Sequence, residues 1–527
     1  MKFRDYLCVL TIAFASLFGA CKSAPQGGGE SHFRVNLGTE PPSLDWSLAT
    51  DHVSFNVIAN MMVGLTEFDK DLKPAPVIAK SWDFLEGGKK IVFHLRDDVQ
   101  WMDGKKVRAQ DFEYSWKRLL NPKTASQYAY ILFDLINAQE YAEGKIKDSS
   151  AVGVQAQDDS TLVVSLRHPA SYFLAITTFE VTYPQRQDVI ETFDTRWTEP
   201  GNIVTNGPFR LASWKHENEI ELRANANYFR GKPSIEKVTM YMINEKTTAV
   251  TLFEQGNLDF MDDHSIPPLD KPRLAKTPGY KLVPQLRGEY YSFAVDRKPF
   301  DNPKLRKAFA LAIDREVFPK ILQGSETPAT SWIPPGMLAH NPEIGLRFNP
   351  TEARRLLSEA GYPDGKGLPS IVLGYNTDEE KKLVAEAIQS MWQKHLGVVV
   401  RLENQEWKVF LKKLQNDPFP VFRAGWGADY PDPDNFMKLF TSNSGNNHGR
   451  WKNPRYDQML ELAARELDAK KRSQIYDDAQ KLLTETDVAI VPLYWKAEST
   501  MLNPKFTGLE YNSMARMDLR NVKAVAK

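Results

Sequence analysis

Between Gly288 and Gly427 the sequence repeatedly switches between strand and helix periodicity, and this switching constrains the fold more than any other feature. Gly288 to Asp296 alternates as a strand and places Tyr290 and Tyr291 on opposite faces. Asn302-Pro303 then opens a helix, with an amide suited to the N-cap and a proline suited to the first helical position. Leu305, Phe309, Ala312 and Ile313 form its apolar stripe, and Pro319 ends or kinks it. Asn349-Pro350 opens a second helix with the same chemistry, closed by Gly361. A third runs from Glu379 to Leu396, is capped by Gly397, and feeds a strand over Val398 to Leu402; Pro420 to Phe422 is a further short apolar strand. Strands and helices alternating at these lengths predict α/β lobes.

The first half follows the same rules less regularly. Phe33 to Leu37, Lys90 to Arg96, Thr161 to Leu166 and Val238 to Ile243 read as strands, with Glu86-Gly-Gly88 as a hairpin turn. Helices are predicted over Val53 to Met62, Ala109 to Leu120 and Thr247 to Gln255. Phe112, Trp116, Leu119 and Leu120 form a packing face on the second of these. Arg108 precedes it and cannot accept a helix N–H, so a reciprocal capping box with Asp111 is not expected. A chain of 527 residues exceeds what one core organises, which predicts two or three domains. Basic and acidic residues balance at 67 each, so nothing marks a nucleic-acid partner. The nine histidines are scattered, and there is no phosphate loop, nucleophile elbow or His-Glu-x-x-His motif. No metal, cofactor or catalytic step is signalled.

Residues 1–20 read as a signal peptide. Lys2 and Arg4 precede the apolar run Leu7 to Phe18, which is too short to span a bilayer comfortably. Gly19-Ala20-Cys21 follows and resembles a lipoprotein cleavage site, making Cys21 a lipidated N-terminus; a plain secretory signal is the alternative. Cys8 lies in the discarded segment, so an exported chain would keep one cysteine and no internal disulfide. Residues 21–31 are Gly-, Ser- and Gln-rich and read as a flexible tether. The expected location is the cell envelope, in the periplasm or at an extracytoplasmic membrane face, with the lipid as anchor.

Candidate binding chemistry concentrates in Arg423-Ala-Gly-Trp-Gly-Ala-Asp-Tyr-Pro-Asp-Pro-Asp434. Gly425 and Gly427 flank Trp426 and permit close approach of another chain. Asp429 stands in a loop stiffened by Pro431 and Pro433. Two readings follow: Arg423 and Asp429 form a structural ion pair beside a core tryptophan, or they receive a small charged ligand. If strand geometry continues through Gly425, Arg423 and Trp426 face opposite sides, and a bulge is needed to bring both to one ligand. Glu40, at a strand end, is either a binding carboxylate or a solvated one. The acidic pair Asp262-Asp263 reads as a solvated turn.

Other motifs are spread over most of the chain: Pro74-Ala-Pro-Val-Ile-Ala-Lys-Ser-Trp82, Trp101-Met-Asp-Gly104, Pro200-Gly-Asn-Ile-Val-Thr-Asn-Gly207 and Asn404-Gln-Glu-Trp-Lys-Val-Phe-Leu411. With the stretch from Arg423 to Tyr430, they resemble the oligopeptide-binding proteins of bacterial ABC importers, within the extracytoplasmic peptide/nickel-binding family 5. The resemblance implies a two-lobed, type II periplasmic-binding-protein-like α/β fold in its large three-domain variant, with ligand enclosed between lobes. It divides the chain into 32–53, 179–289 and 498–527 for lobe I, 54–178 for a domain packed on it, and 290–497 for lobe II. The crossings fall near Ser54, Tyr290 and Ala497. It implies short peptides as ligands, gripped through their backbone as an added strand. Asp429 would hold the ammonium, Arg423 the carboxylate end, and Trp426 and Trp407 would line the pocket. Gly425, Gly427, Ala428, Glu40, Tyr290 and Tyr291 would be further contacts. A monomer without enzymatic activity, delivering peptide to a membrane permease, is the expected form. Two departures leave peptide length open. Leu414 stands near a family arginine, and Asn376 to Lys382 lacks the family histidine, with Lys381 as a substitute. Siblings that bind dipeptides, cell-wall peptides, nickel or haem, an exported peptidase, and a lipid-anchored adhesin or chaperone are the rival readings.

Overall fold

Two long strands tie the halves of the molecule together, and the rest of the architecture hangs from them. The computed structural model describes residues 31–525 apart from Ser171, Ser325 and Leu467; the proposed signal peptide, Cys21 and the tether to residue 30 lie outside the described residues. In chain order, β1 (His32–Asn36) and α1 (His52–Met61) are followed by a separate antiparallel sheet. That sheet comprises β2 (Ala79–Leu85), β3 (Lys90–Leu95), β4 (Val154–Ala156) and β5 (Thr161–Ser165), in the order β2-β3-β5-β4. The helix α2 (Ala109–Leu120) packs against it. Next come β6 (Phe209–Lys215), β7 (Glu219–Ala224), β8 (Lys237–Tyr241), α3 (Lys246–Glu254) and β9 (Phe260–Met261).

The long strand β10 (Tyr280–Phe293) leads into α4 (Pro303–Leu311), α5 (Pro350–Glu359), β11 (Ile371–Asn376) and α6 (Glu379–Leu396). These are followed by β12 (Val400–Gln405), α7 (Trp407–Asn416), β13 (Val421–Gly427), the short helix α8 (Pro433–Met437) and the second long strand β14 (Ile490–Leu502). One mixed sheet joins them in the order β12-β11-β13-β10-β14-β9-β1-β8-β7-β6.

β10 and β14 pair antiparallel along both halves of this sheet, but not in one register. Pro284 faces Ala497 and Gly288 faces Trp495, so Gln285, Leu286 and Arg287 stand opposite Lys496 alone. One side of this slip belongs to a core running from Phe33 to Phe260, joined by Met517, Leu519 and Val522. The other side belongs to two cores on opposite faces of the sheet, one containing Tyr291 and the other Tyr290. β14 is buried along nearly its whole length, as a central strand covered on both faces is.

The helix ends follow local chemistry. Asn302 and Asn349 accept from the N–H groups of Lys304 and Glu352, and Gly397 sits at φ +70° after α6. Asp111 accepts from the Arg108 N–H (3.0 Å) and the Trp101 indole (3.0 Å), and its own N–H donates to the Arg108 carbonyl (3.0 Å), so the helix start is closed reciprocally through the Arg108 backbone and not through its side chain. Two strands depart from expectation. β10 begins at Tyr280, eight residues early, because Pro284 and the charged residues before Gly288 disguise its exposed first half. β13 does not stop at Phe422 but runs through both glycines to Gly427.

Candidate functional site

A cavity of about 270 Å³ lies between the two halves of the molecule. Gly38, His52, Tyr128 and Lys246 line it from the first half, and Trp407, Arg423 to Gly427 and Asp429 from the second. β13 explains why so much of one stretch reaches the wall. On one side it pairs residue by residue with β10, from Val421↔Phe293 to Gly427↔Arg287. On the other side β11 meets it only at Leu373↔Val421 and Gly374↔Phe422. Beyond Phe422 that edge has no strand neighbour among the described residues. A free edge of this kind can accept an extended chain through backbone hydrogen bonds. The ladder is regular, so the expected bulge is absent. Arg423 and Trp426 occupy opposite faces, and both still reach the cavity because it lies against the edge of the strand.

Asp429 stands just past the end of this edge. α8 holds it in place: Asn435 accepts from the Asp429 N–H (3.0 Å) and the Trp426 indole (3.0 Å), and donates to Asp429 Oδ2 (3.2 Å). The Tyr128 hydroxyl donates to the same oxygen (3.0 Å). The Arg516 guanidinium approaches Asp429 Oδ1 to 3.7 Å, but it is engaged by Glu180 (3.1 Å) and lies 5.2 Å over the Phe55 ring. Asp429 is 5% exposed. Burial pushes its carboxyl up to about 7, and Arg516, Asn435 and Tyr128 offset this only in part. A buried carboxylate with its charge incompletely met can receive a ligand cation.

Arg423 has a different partner from the one expected. It donates through Nε and Nη2 to both oxygens of Glu289 (2.8 and 2.7 Å) and through Nη1 to Asn376 (3.1 Å). Burial would raise the Glu289 pKa, but Arg423, Lys381 and Arg287 outweigh it and hold the carboxyl at about 2. The ion pair reading therefore holds for Arg423 with Glu289, and fails for Arg423 with Asp429. Gly425 makes room for it: a Cβ there would lie 2.7 Å from Glu289 Oε1 and 3.0 Å from Arg423 Nη2.

Of the remaining candidates, Trp407, Trp426, Tyr290, Gly425 and Gly427 are on the cavity wall. Glu40 is not: it accepts from His216 Nδ1 (2.8 Å) and the Glu217 N–H (2.8 Å), neither of which lines the cavity. Tyr291 is buried in the core on the other sheet face, as strand alternation requires. Ala428 is fully buried and donates its N–H to Leu286 O (2.8 Å). Lys381 is committed to Glu380 (2.8 Å) and lies 3.5 Å from Glu289. Asp263 is no solvated turn residue; it is 2% exposed and pairs with Lys271 (3.0 Å) and Lys496 (3.1 Å). Lys496 also meets Glu380 (2.9 Å), and Lys246 meets Asp378 (3.0 Å), so ion pairs bridge the halves along the cavity. Sequence reasoning missed these residues. A lysine within the apolar run of β14 was the one available signal.

The sequence profile of bacterial extracellular solute-binding proteins, family 5 middle, matches residues 73–448. The oligopeptide-binding protein of Bacillus subtilis is 33% identical over 544 aligned residues, spanning 99% of each chain. The periplasmic oligopeptide-binding protein of Escherichia coli is 37% identical over 89% of this chain and 88% of its own. Among solved structures, the Haemophilus influenzae oligopeptide-binding protein in complex with RPPGFSPFR has a TM-score of 0.89 at 31% identity, covering 95% of this chain and 100% of that one. The Escherichia coli murein tripeptide binding protein matches with the same TM-score and identity, covering 95% and 99%.

Proposed function

The chain belongs to family 5 of the bacterial extracellular solute-binding proteins, and on that premise we propose that it captures short peptides outside the cytoplasm and hands them to the membrane permease of an ABC importer. Its fold is the two-lobed type II α/β binding fold of that family. The observation that carries the reading is Asp429, a buried and incompletely compensated carboxylate placed where the free edge of β13 ends. A peptide offers the two matching features: a backbone that can pair as an added strand, and an ammonium at one end of it. The edge grips without regard to sequence, and Asp429 sets where the chain begins. The Arg423–Glu289 pair acts as a fixed part of the wall, with the Asn376 side of Arg423 nearest to a ligand's far end.

Peptides are held and not cleaved in this reading. The slip between β10 and β14 serves as the hinge, and ligand contacts on both lobes favour the closed form. The N-terminal segment supports export and anchorage through a lipid on Cys21. Native mass spectrometry of freshly purified protein tests the proposal. A series of bound masses matching peptides of two to five residues, displaced by an added tripeptide, is the expected result. Protein that stays empty with added peptides, or that converts them to fragments, would overturn it.

A further inference from the structure

Resting on the peptide-binding reading, we propose that Arg287, His52 and His264 form a carboxylate-selective side-chain subsite beside Gly427, favouring aspartate or glutamate among the first two residues of the peptide. Three observations converge on Gly427. Arg287 is its cross-strand partner, so the Arg287 side chain leaves the sheet on the same face. A Cβ on Gly427 would lie 2.5 Å from His52 Nε2, so the imidazole sits directly over the glycine. All three line the cavity, and burial first, then the charges of Arg516, Arg287 and His264, hold the His52 imidazole well below its usual range, so the ring is neutral.

The hydrogen bonding gives this group its sign. Arg516 Nη1 lies 3.1 Å from His52 Nδ1, and a guanidinium can only donate. Nδ1 must therefore be the acceptor, which leaves the proton of the neutral ring on Nε2, the nitrogen over Gly427. His52 Nε2 has no partner among the described residues. Arg287 carries five N–H donors, but its contacts are long: Glu498 Oε1 at 3.3 Å and Glu289 Oε1 at 3.5 Å. The carboxylates on this rim are already taken. Glu498 accepts from Tyr511, Glu289 from Arg423, Asp51 from Ser54, and Asp262 lies 3.3 Å from His264. Apart from Asp429, which the peptide reading reserves for the ammonium, the neighbouring acceptors have donors of their own, so the loosely held Arg287 guanidinium and the Nε2–H of His52 are left as donors on the cavity wall, which is the complement of a carboxylate. Gly427 precedes Asp429 by two residues, about 6–7 Å along an extended chain, so the subsite meets a side chain close to the bound ammonium.

Calorimetric titration of the mature protein, stripped of ligand by unfolding and refolding, tests this with Glu-Ala-Ala, Ala-Glu-Ala, their glutamine counterparts and Ala-Lys-Ala. At least one glutamate peptide should bind about tenfold more tightly than its glutamine twin, with the lysine peptide weakest. In Arg287→Met and, separately, His52→Leu the glutamate advantage should shrink while the glutamine peptides still bind. Equal affinity for glutamate and glutamine peptides in the unaltered protein would overturn the subsite whatever the variants do. Failure of every peptide to bind would instead overturn the peptide-binding reading on which the subsite rests.

Discussion

At the scale of single residues, Asp429 does two opposed things. Its carboxyl is raised to about 7, so in the empty protein burial opposes the ionised form that a peptide ammonium needs. The sign follows from linkage. A carboxyl raised on folding favours the native state at low pH, and that contribution is lost as pH rises through the folded value. Asp429→Asn should therefore stabilise the ligand-free protein at pH 8 by on the order of a few kcal/mol, read by urea unfolding. The same change should weaken peptide binding by about 100-fold, since a charge-assisted contact is lost. Peptide affinity should also fall as pH drops below about 7, because the site must give up a proton to bind. Titrations at pH 5, 6, 7 and 8 check this, and Asp429→Asn should flatten the profile. Arg423→Met makes the converse case. It removes the closest partner of buried Glu289 and leaves only Lys381 and Arg287 at 3.5 Å, so unfolding should show about 2–4 kcal/mol of lost stability. Asp429 was recognisable in the sequence because a carboxylate between glycines and prolines is a local pattern. The partner of Arg423 was not, because Glu289 is 134 positions away and only strand pairing brings it near.

At the scale of elements, the site depends on where a strand stops being paired. β11 leaves β13 after Phe422, and the five residues from Arg423 to Gly427 keep one open edge. If that edge grips a peptide, methylating a single backbone nitrogen of a bound tripeptide should cost about tenfold in affinity where the N–H pairs with the edge. Moving the methyl along the peptide and measuring each affinity would map the pairing. The helices were legible down to their caps, since Asn302, Asn349 and Gly397 act on their own neighbours. The edge was not, because which strand lies beside β13, and for how far, is a property of the assembled sheet.

At the scale of the whole molecule, the halves are joined by buried ion pairs as well as by the cavity. Lys246 meets Asp378 at 3.0 Å, and Lys438 donates to Asp134 at 3.1 Å, each pair linking residues far apart in sequence. These pairs suit a closed form, because opening would return each partner to water. Lys246→Met leaves Asp378 better off hydrated and should shift the protein toward an open form. Peptide affinity should then drop about tenfold or more, and small-angle scattering should show a larger radius of gyration before ligand is added. The α/β architecture was readable from the switching periodicity and the family motifs. The bridging pairs were hidden: Lys246 looks like an ordinary surface lysine, and Lys496, though out of place in an apolar run, does not name its partners.

The register slip has one further consequence. Leu286 lies inside it, and its carbonyl accepts from the N–H of Ala428, the residue before Asp429, while its own N–H donates to Ser513 O (2.7 Å). Asp429 is thus joined to the slip by one peptide link and one hydrogen bond. A pull on Asp429 acts on the pivot as a short lever arm, and through Ser513 it also reaches the segment carrying Arg516. If Asp429 holds the ligand and the slip is the hinge, occupancy would be sensed where the molecule bends, with no need for a relay through the lobes.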